Sequence, residues 1–310
     1  MTPTENSTTE NNKLWEKAHR AAALAKAALL FEVNLTPKPG LVDRHNVGSH
    51  PDMTIEMFYR SAEVLEPYFA QYWLIGASVP LNKILWSVRR LGLEAEEKML
   101  ATTGGRNTHK GAHFSLAMVL ATAAYMKIEK EQATSELHRL SLSSKLLSSV
   151  PIISGDLIAS DLTGMKDQDI KTAGEISFHR HRIGGIRAEV SAGFPTITRY
   201  GLNLLEIHAF QKDAVNQGKV DLLEDRKLAL DYLMTLLAKA DDTTLIKRGG
   251  IEGLNYARTR AISYLRNDAQ GANWEKALYA MDLDFTNRNL SPGGAADLLT
   301  VTKFSLSLWD

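Results

Sequence analysis

Residues 103–114, "TGGRNTHKGAHF", put three glycines, Arg106, Asn107, Thr108, Lys110 and two histidines into twelve positions directly ahead of an apolar run. Three chemistries compete for such a stretch. A phosphate loop would need Ser or Thr after the lysine and a strand before the glycines; Gly111 follows Lys110 and no strand precedes. A zinc helix would use His109 and His113 at i, i+4, but Lys110 stands where the catalytic glutamate belongs. A helix start remains. Asn107 or Thr108 can cap it, Gly104 and Gly105 allow close backbone approach, and the first-turn amides with Arg106 and Lys110 favour an anion.

A second bare helix start is expected in "NRNLSPGGAADLL", with Ser291 as N-cap, Pro292 as first helical residue, and Gly293 and Gly294 leaving the first turn uncovered. "GGIRAEVSAGFP" sets Arg187 two residues before Glu189, a fork for phosphate beside a carboxylate that can act on a hydroxyl. "DDTTLIKRGG" places Asp241 and Asp242 ahead of Lys247 and Arg248, or else ends a helix in basic residues and a glycine stop. Each segment alone is open to a purely structural reading, as a capped helix or a solvated loop. Their joint occurrence points to an oxyanion.

The charge distribution agrees. The 310 residues hold 36 basic and 36 acidic side chains, which argues against nucleic acid as a partner. Yet the segments 36–50, 103–114, 179–187, 245–250 and 286–294, bounded around their glycines, contain Lys38, Arg44, Arg106, Lys110, Arg187, Lys247, Arg248 and Arg288 among their cations, with Asp43 their only acid. Asp52, Glu189, Asp241, Asp242, Asp284 and Asp297 lie just outside them. Basic loops bordered by acids suit a small polyanion with a divalent cation. The chain has no cysteine, so thiol chemistry and disulfides are excluded and a cytoplasmic location is expected. The longest nearly uncharged apolar stretch, "HFSLAMVLATAAYM", is too short to cross a membrane, and a soluble protein is expected.

The elements that must position these residues read as helices. Helical periodicity covers 13–33, 54–75, 81–100, 109–127, 131–149, 199–216, 220–240, 252–266, 272–281 and 292–309. No series of alternating strands appears. One all-α domain over 13–310 is expected, with 1–12 as a disordered tail. A boundary near 150–185 has little compositional support. Residues 34–53, "NLTPKPGLVDRHNVGSHPDM", form a long irregular segment held extended by Pro37 and Pro39.

Taken in order, "EVNLTPKPGLVDRHNVGSHPDM", "TGGRNTHKGAHFSL", "GGIRAEVSAGFP", "DDTTLIKRGG" and "NLSPGGAADLL" resemble the triphosphoribosyl-dephospho-CoA synthase family over about residues 32–300. The resemblance implies a helical enzyme that joins the triphosphoribosyl group of ATP to 3′-dephospho-CoA and releases adenine. The product would be the precursor of the prosthetic group on the acyl carrier subunit of citrate lyase, a related branch serving malonate decarboxylase. Arg106, His113, Ala188, Thr244 and Ala295 depart from the family's usual residues, whereas the Asn107-Thr108-His109-Lys110 core keeps the pattern.

For that reaction the triphosphate would be held by Lys38, Arg44, Lys110, Arg187 and Arg248, with the helix starts at Thr108 and at Ser291, Gly293 and Gly294. Asp43, Asp52 and Asp242 would share a Mg²⁺ with the phosphates. Asn107, His109 and Glu189 are the expected catalytic residues, the last two able to move protons near neutral pH. A homodimer is the prior for a large helical enzyme. Two other functions compete: a non-catalytic nucleotide- or carrier-binding module, and a hydrolase that releases adenine to water.

Overall fold

The computed structural model describes residues 5–128, 131–163, 172–213 and 222–309, and among them there is no strand. Two helices make its centre. α4 (Lys110–Met126) is apolar or small on every side, and from Ala112 to Ala124 all but Phe114 are buried. A helix without a polar face must be surrounded. α14 (Gly293–Ser307) is buried just as completely from Leu298 onward and packs on α4. Around this pair lie α1 (Glu5–Asn34), α2 (Ile55–Ser78), α3 (Leu81–Thr102), α5 (Glu136–Ser149), α11 (Arg226–Lys239) and α12 (Thr243–Asn267). α2 approaches α4 so closely that any Cβ at Gly76 would overlap the Ala121 carbonyl.

One hydrophobic core runs from Ala18 to Trp309, so the chain does not divide near 150–185. That region instead supplies four short helices that sequence periodicity missed: α6 (Pro151–Ser154), α7 (Leu157–Asp161), α8 (Ala173–His181) and α9 (Gly185–Ser191). Segments of this length carry too few turns to show a helical period. α10 (Leu202–Asp213) follows a π turn at Ile197–Gly201, and α13 (Trp274–Asn287) precedes α14. α1 begins at Glu5, so residues 5–12, expected as a tail, continue it. Extending an existing helix needs no new nucleus.

α12 is two helical stretches joined across Gly250. The first, which sequence periodicity missed, starts at Thr243, where Asp242 caps it by accepting the Thr244 and Leu245 N–H groups. It meets the expected glycine stop at Gly250, whose φ of 65° and ψ of −168° are non-helical, and the stretch beyond corresponds to the helix expected from 252. Gly104 and Gly105 also differ from expectation. Both have positive φ and open space around them, and Gly105 N donates to the Leu100 carbonyl at 2.7 Å. They terminate α3.

The irregular segment 35–54 is pinned to the far end of the chain. Gly40 N donates to Asp282 Oδ1 at 2.9 Å, Asn46 Nδ2 to Asp282 Oδ2 at 2.7 Å, and Ser49 Oγ to the Leu290 carbonyl at 2.6 Å. Gly40 is required there, since a Cβ would overlap that same carbonyl and φ is +73°. The Thr36–Pro37 peptide is cis.

Candidate active site

The starts of α4, α12 and α14 converge on a cavity of about 530 Å³. Asn107, Lys110 and Gly111 come from the first, Asp242–Thr244 and Lys247 from the second, and Gly294 and Asp297 from the third. α3 and α7 add Arg89, Glu96 and Asp161, and α9 adds Arg187 and Glu189. Helix N-termini favour an anion in the space they face. Arg89, Lys110, Arg187 and Lys247 line it together with the carboxyls of Glu96, Asp161, Glu189, Asp241, Asp242 and Asp297.

His109, rather than Asn107 or Thr108, is the N-cap residue of α4 and gives no side-chain cap bond; Asn107 Oδ1, from two residues upstream, accepts the Lys110 N–H at 3.0 Å. Thr108 has a different task, donating to Ser61 Oγ at 2.8 Å. A lysine in a first turn is disfavoured unless an anion is near; here Lys110 Nζ pairs with Glu96 of α3. Arg187 lies 3.5 Å from Asp161 and 3.7 Å from Glu175, long contacts that leave its fork loosely held.

Ser291 does not cap α14. Its hydroxyl meets His50 Nε2 at 2.7 Å, and the helix starts at Gly293 after Pro292. The cap comes from another helix. Asp242 Oδ2 accepts Ala295 N at 3.1 Å, and the same carboxylate is hydrogen-bonded by Gly294 N. Only a glycine at 294 leaves room, since a Cβ there would stand 2.9 Å from the Asp242 carboxyl carbon. One carboxylate therefore joins the starts of α12 and α14.

This geometry bears on the expected metal ligands. Asp242 accepts four backbone N–H groups, which use the four acceptor sites of a carboxylate. Asp43 is spent on its own loop, accepting from Lys38 N, His45 N and Asn46 N. Asp52 is exposed and paired with Arg106 at 2.9 Å. Neither Asp43 nor Asp52 lines the cavity, and among the described residues no group of three or more His, Asp or Glu could hold a metal ion. The three carboxylates do not fit a shared Mg²⁺ site.

Arg44 and Arg248 also stand apart. Arg44 Nε donates to Asn34 Oδ1 at 2.8 Å. Arg248 clamps the 35–54 segment, donating to the Ser49 carbonyl at 2.8 Å and contacting His50 Nδ1 at 2.9 Å. Its neighbour Lys247 is the one that faces the cavity. Lys38 is buried and paired with Glu32; with Thr108, His109, Ser291 and Gly293 it lines a second, smaller chamber of about 110 Å³.

The two spaces adjoin along Asn107, Lys110, Gly111, Thr244 and Asp297, which line both. Asp297 was visible in the sequence only as one of the acids beside basic loops. Burial, Asp242 and Glu32 push its carboxyl well above the usual range, while an N–H from Ala112 opposes this. Glu189, which accepts from Thr196 N at 3.2 Å and Thr196 Oγ1 at 2.6 Å, is also pushed up, chiefly by burial and in part by Asp241. Raised carboxyls in a cleft are poised for proton transfer. His109 and His113 go the other way: burial lowers them to about 3 and about 4, and Lys38 and Lys110 respectively add to this, so both are neutral near pH 7. His113 is held by Tyr72 Oη at 2.7 Å.

Helix starts, cations that are mostly ion-paired, and raised carboxyls thus meet around one cavity of an all-helical chain. The chain belongs to the ATP:dephospho-CoA triphosphoribosyl transferase family (CitG), whose model matches residues 18–310. It is 36% identical over 278 residues to the 2-(5″-triphosphoribosyl)-3′-dephosphocoenzyme-A synthase of Pectobacterium atrosepticum, spanning 89% of this chain and 84% of that one. The proteins of the same name from Klebsiella pneumoniae and Haemophilus ducreyi are each 34% identical, over 93% and 94% of this chain and 90% and 89% of theirs. No solved structure matches it significantly. The chain is thus a transferase, and no helix among its described residues is long and apolar enough to cross a membrane.

Proposed function

We propose that the large cavity seats the triphosphate of ATP and that the sugar lies at the shared lining, beside Gly111 and Asp297. The observation that carries this is the convergence of three helix N-termini and four cations on one space. Transfer breaks the bond from the anomeric carbon of ATP to adenine and forms one to the 2′-hydroxyl of 3′-dephospho-CoA. One proton leaves the hydroxyl and one reaches adenine, so no net proton is consumed. Glu189 is the group to accept the first and Asp297 to donate the second: a raised pKa makes the Glu189 carboxylate a stronger base, and the larger upward push on Asp297 favours the protonated form a donor needs. The cations and helix starts stabilise the triphosphate throughout. His109, being neutral and buried, is unsuited to act as a base.

Magnesium belongs to this reading as the ion ATP carries on its phosphates, which needs few protein ligands. The product would pass to the acyl carrier subunit of citrate lyase. Assembly as a homodimer is the prior for an enzyme of this size, and light scattering tests it.

The deciding experiment incubates the purified chain with ATP, Mg²⁺ and dephospho-CoA and follows adenine and the CoA adduct by mass. Adenine with a triphosphoribosyl adduct is expected. Adenine without adduct would make the protein a hydrolase, and neither product would make it a binding module.

A further inference from the structure

The small chamber that adjoins the large cavity has a chemistry of its own. By volume it has room for roughly seven to eleven water-sized groups, the scale of a bicyclic base and too little for a triphosphate. Leu41, Val42, Met53 and Phe58 give it apolar sides. Its polar groups include His109, Glu32 and Lys38.

The state of His109 follows from its hydrogen bonds. Thr108 donates to Ser61 Oγ, and Ser61 Oγ contacts His109 Nδ1. The Ser61 proton therefore points at Nδ1, and the proton of the neutral imidazole is on Nε2, an assignment made from the network. Nε2 is buried and has no hydrogen-bond partner in the protein. Phe58 sits edge-on to the ring, 5.1 Å between centroids, and helps fix its orientation. A buried N–H left without an acceptor is costly, and such groups in native proteins call for an explanation.

We propose that the chamber is the seat of an adenine base, with His109 Nε2–H donating to a ring nitrogen and the Glu32 carboxylate accepting from the exocyclic amine. The proposal rests on the reading of the large cavity as the triphosphate site. Adenine presents an acceptor nitrogen beside an amino donor along one edge, whereas guanine presents two acceptors there. A guanine oxygen would face the Glu32 carboxylate, so the same pair that holds adenine rejects guanine. Both substrates carry adenine. A base in the chamber and phosphates in the large cavity put the sugar between them at Gly111 and Asp297, the arrangement that transfer from ATP requires.

The test uses the full chain and three probes by titration calorimetry: adenine, guanine and tripolyphosphate. Two variants accompany it. Ala296→Leu, in the chamber wall, fills the space; His109→Phe keeps a ring and removes the donor. Wild type is expected to bind adenine at least tenfold more tightly than guanine. Both variants should lose adenine affinity tenfold or more while tripolyphosphate affinity stays within about twofold, a control that also reports folding. A raised KM for ATP in Ala296→Leu, with that for dephospho-CoA unchanged, assigns the chamber to the leaving base; the reverse assigns it to the acceptor's adenine. Failure of wild type to bind adenine while tripolyphosphate binds overturns the proposal, as does adenine affinity untouched by both variants. Loss of tripolyphosphate binding in wild type would instead strike at the large-cavity reading.

Discussion

The Asp297 carboxylate occupies the space that a side chain at Gly111 would need: any Cβ built on Gly111 would overlap Asp297 Oδ2. Backbone and carboxylate thus fit together across the starts of α4 and α14, and this contact is part of the lining that the two chambers share.

Gly111→Ala should therefore displace Asp297 before it does anything else. A loss of about 100-fold in kcat/KM is expected, or ~2.7 kcal/mol of transition-state stabilisation, with an overpacking cost of about 1–3 kcal/mol in stability. Steady-state kinetics and urea denaturation measure the two. Undiminished turnover would mean that the placement of Asp297 does not matter to the reaction.

Asp297→Asn should separate stability from activity. The folded carboxyl titrates above its unfolded value, so its favourable contribution is present below about pH 4 and is lost as pH rises through the folded pKa. At pH 8 the unfolded chain ionises this carboxyl freely, whereas the fold resists that ionisation. The amide should make the protein more stable there, flatten the alkaline side of the stability–pH curve, and depress kcat. Denaturation of both proteins at pH 5 and pH 8 gives the comparison, and a variant less stable at pH 8 would contradict it.

Lys110→Ala tests the helix start. Its ion pair with Glu96 is half-exposed, so stability should change by less than about 1 kcal/mol. A charge-assisted contact to phosphate is worth about 1.5–3 kcal/mol, which predicts a ten- to hundredfold loss in kcat/KM for ATP with an unaltered helical circular dichroism signal. Equal kinetics in variant and wild type would remove Lys110 from the phosphate site.

His50, His109 and His113 are lowered to about 4, about 3 and about 4, mainly by burial. Groups shifted down stabilise the fold above pH 6.5, and that stability drains away as pH falls toward 4. Each contributes a slope of about 1.4 kcal/mol per pH unit in that window. Their imidazole C–H resonances should stay at neutral positions from pH 7 down to pH 5.5. Titration of any of them near 6.5 would show that it reaches water.

Much of this was legible in the sequence because it is local. The uniformly apolar α4 declares its own burial, and the bond from the Lys110 N–H to Asn107, three residues back, is written in the chain. What could not be read is what tertiary packing supplies. Ser291 looked like the cap of α14, but that role falls to Asp242 from another helix, and no window of sequence contains both partners. Arg89, Glu96 and Asp161 reach the cavity from α3 and α7 with no motif to mark them.

Lys247 and Arg248 show the limit most sharply. Once Asp242 starts a helix, neighbouring residues turn about 100° from each other. Lys247 then faces the cavity while Arg248 grips Ser49 and His50. The rotation holds for the whole stretch from Thr243 to the non-helical Gly250, but which of the two side chains meets the cavity depends on partners far away in the sequence.

The burial of α14 has a consequence for how the protein comes into being. Leu298, Leu299, Val301, Phe304 and Leu306 pack at the centre of the core, and Gly294 and Asp297 from the same helix complete the cavity. This helix is synthesised after every other helix it touches. A nascent chain emerging from the ribosome therefore has neither a closed core nor a phosphate site until α14 arrives, and α1, α2 and α4 must wait with their inner faces uncovered. Folding and competence to bind ATP should appear together, late, and in a single step.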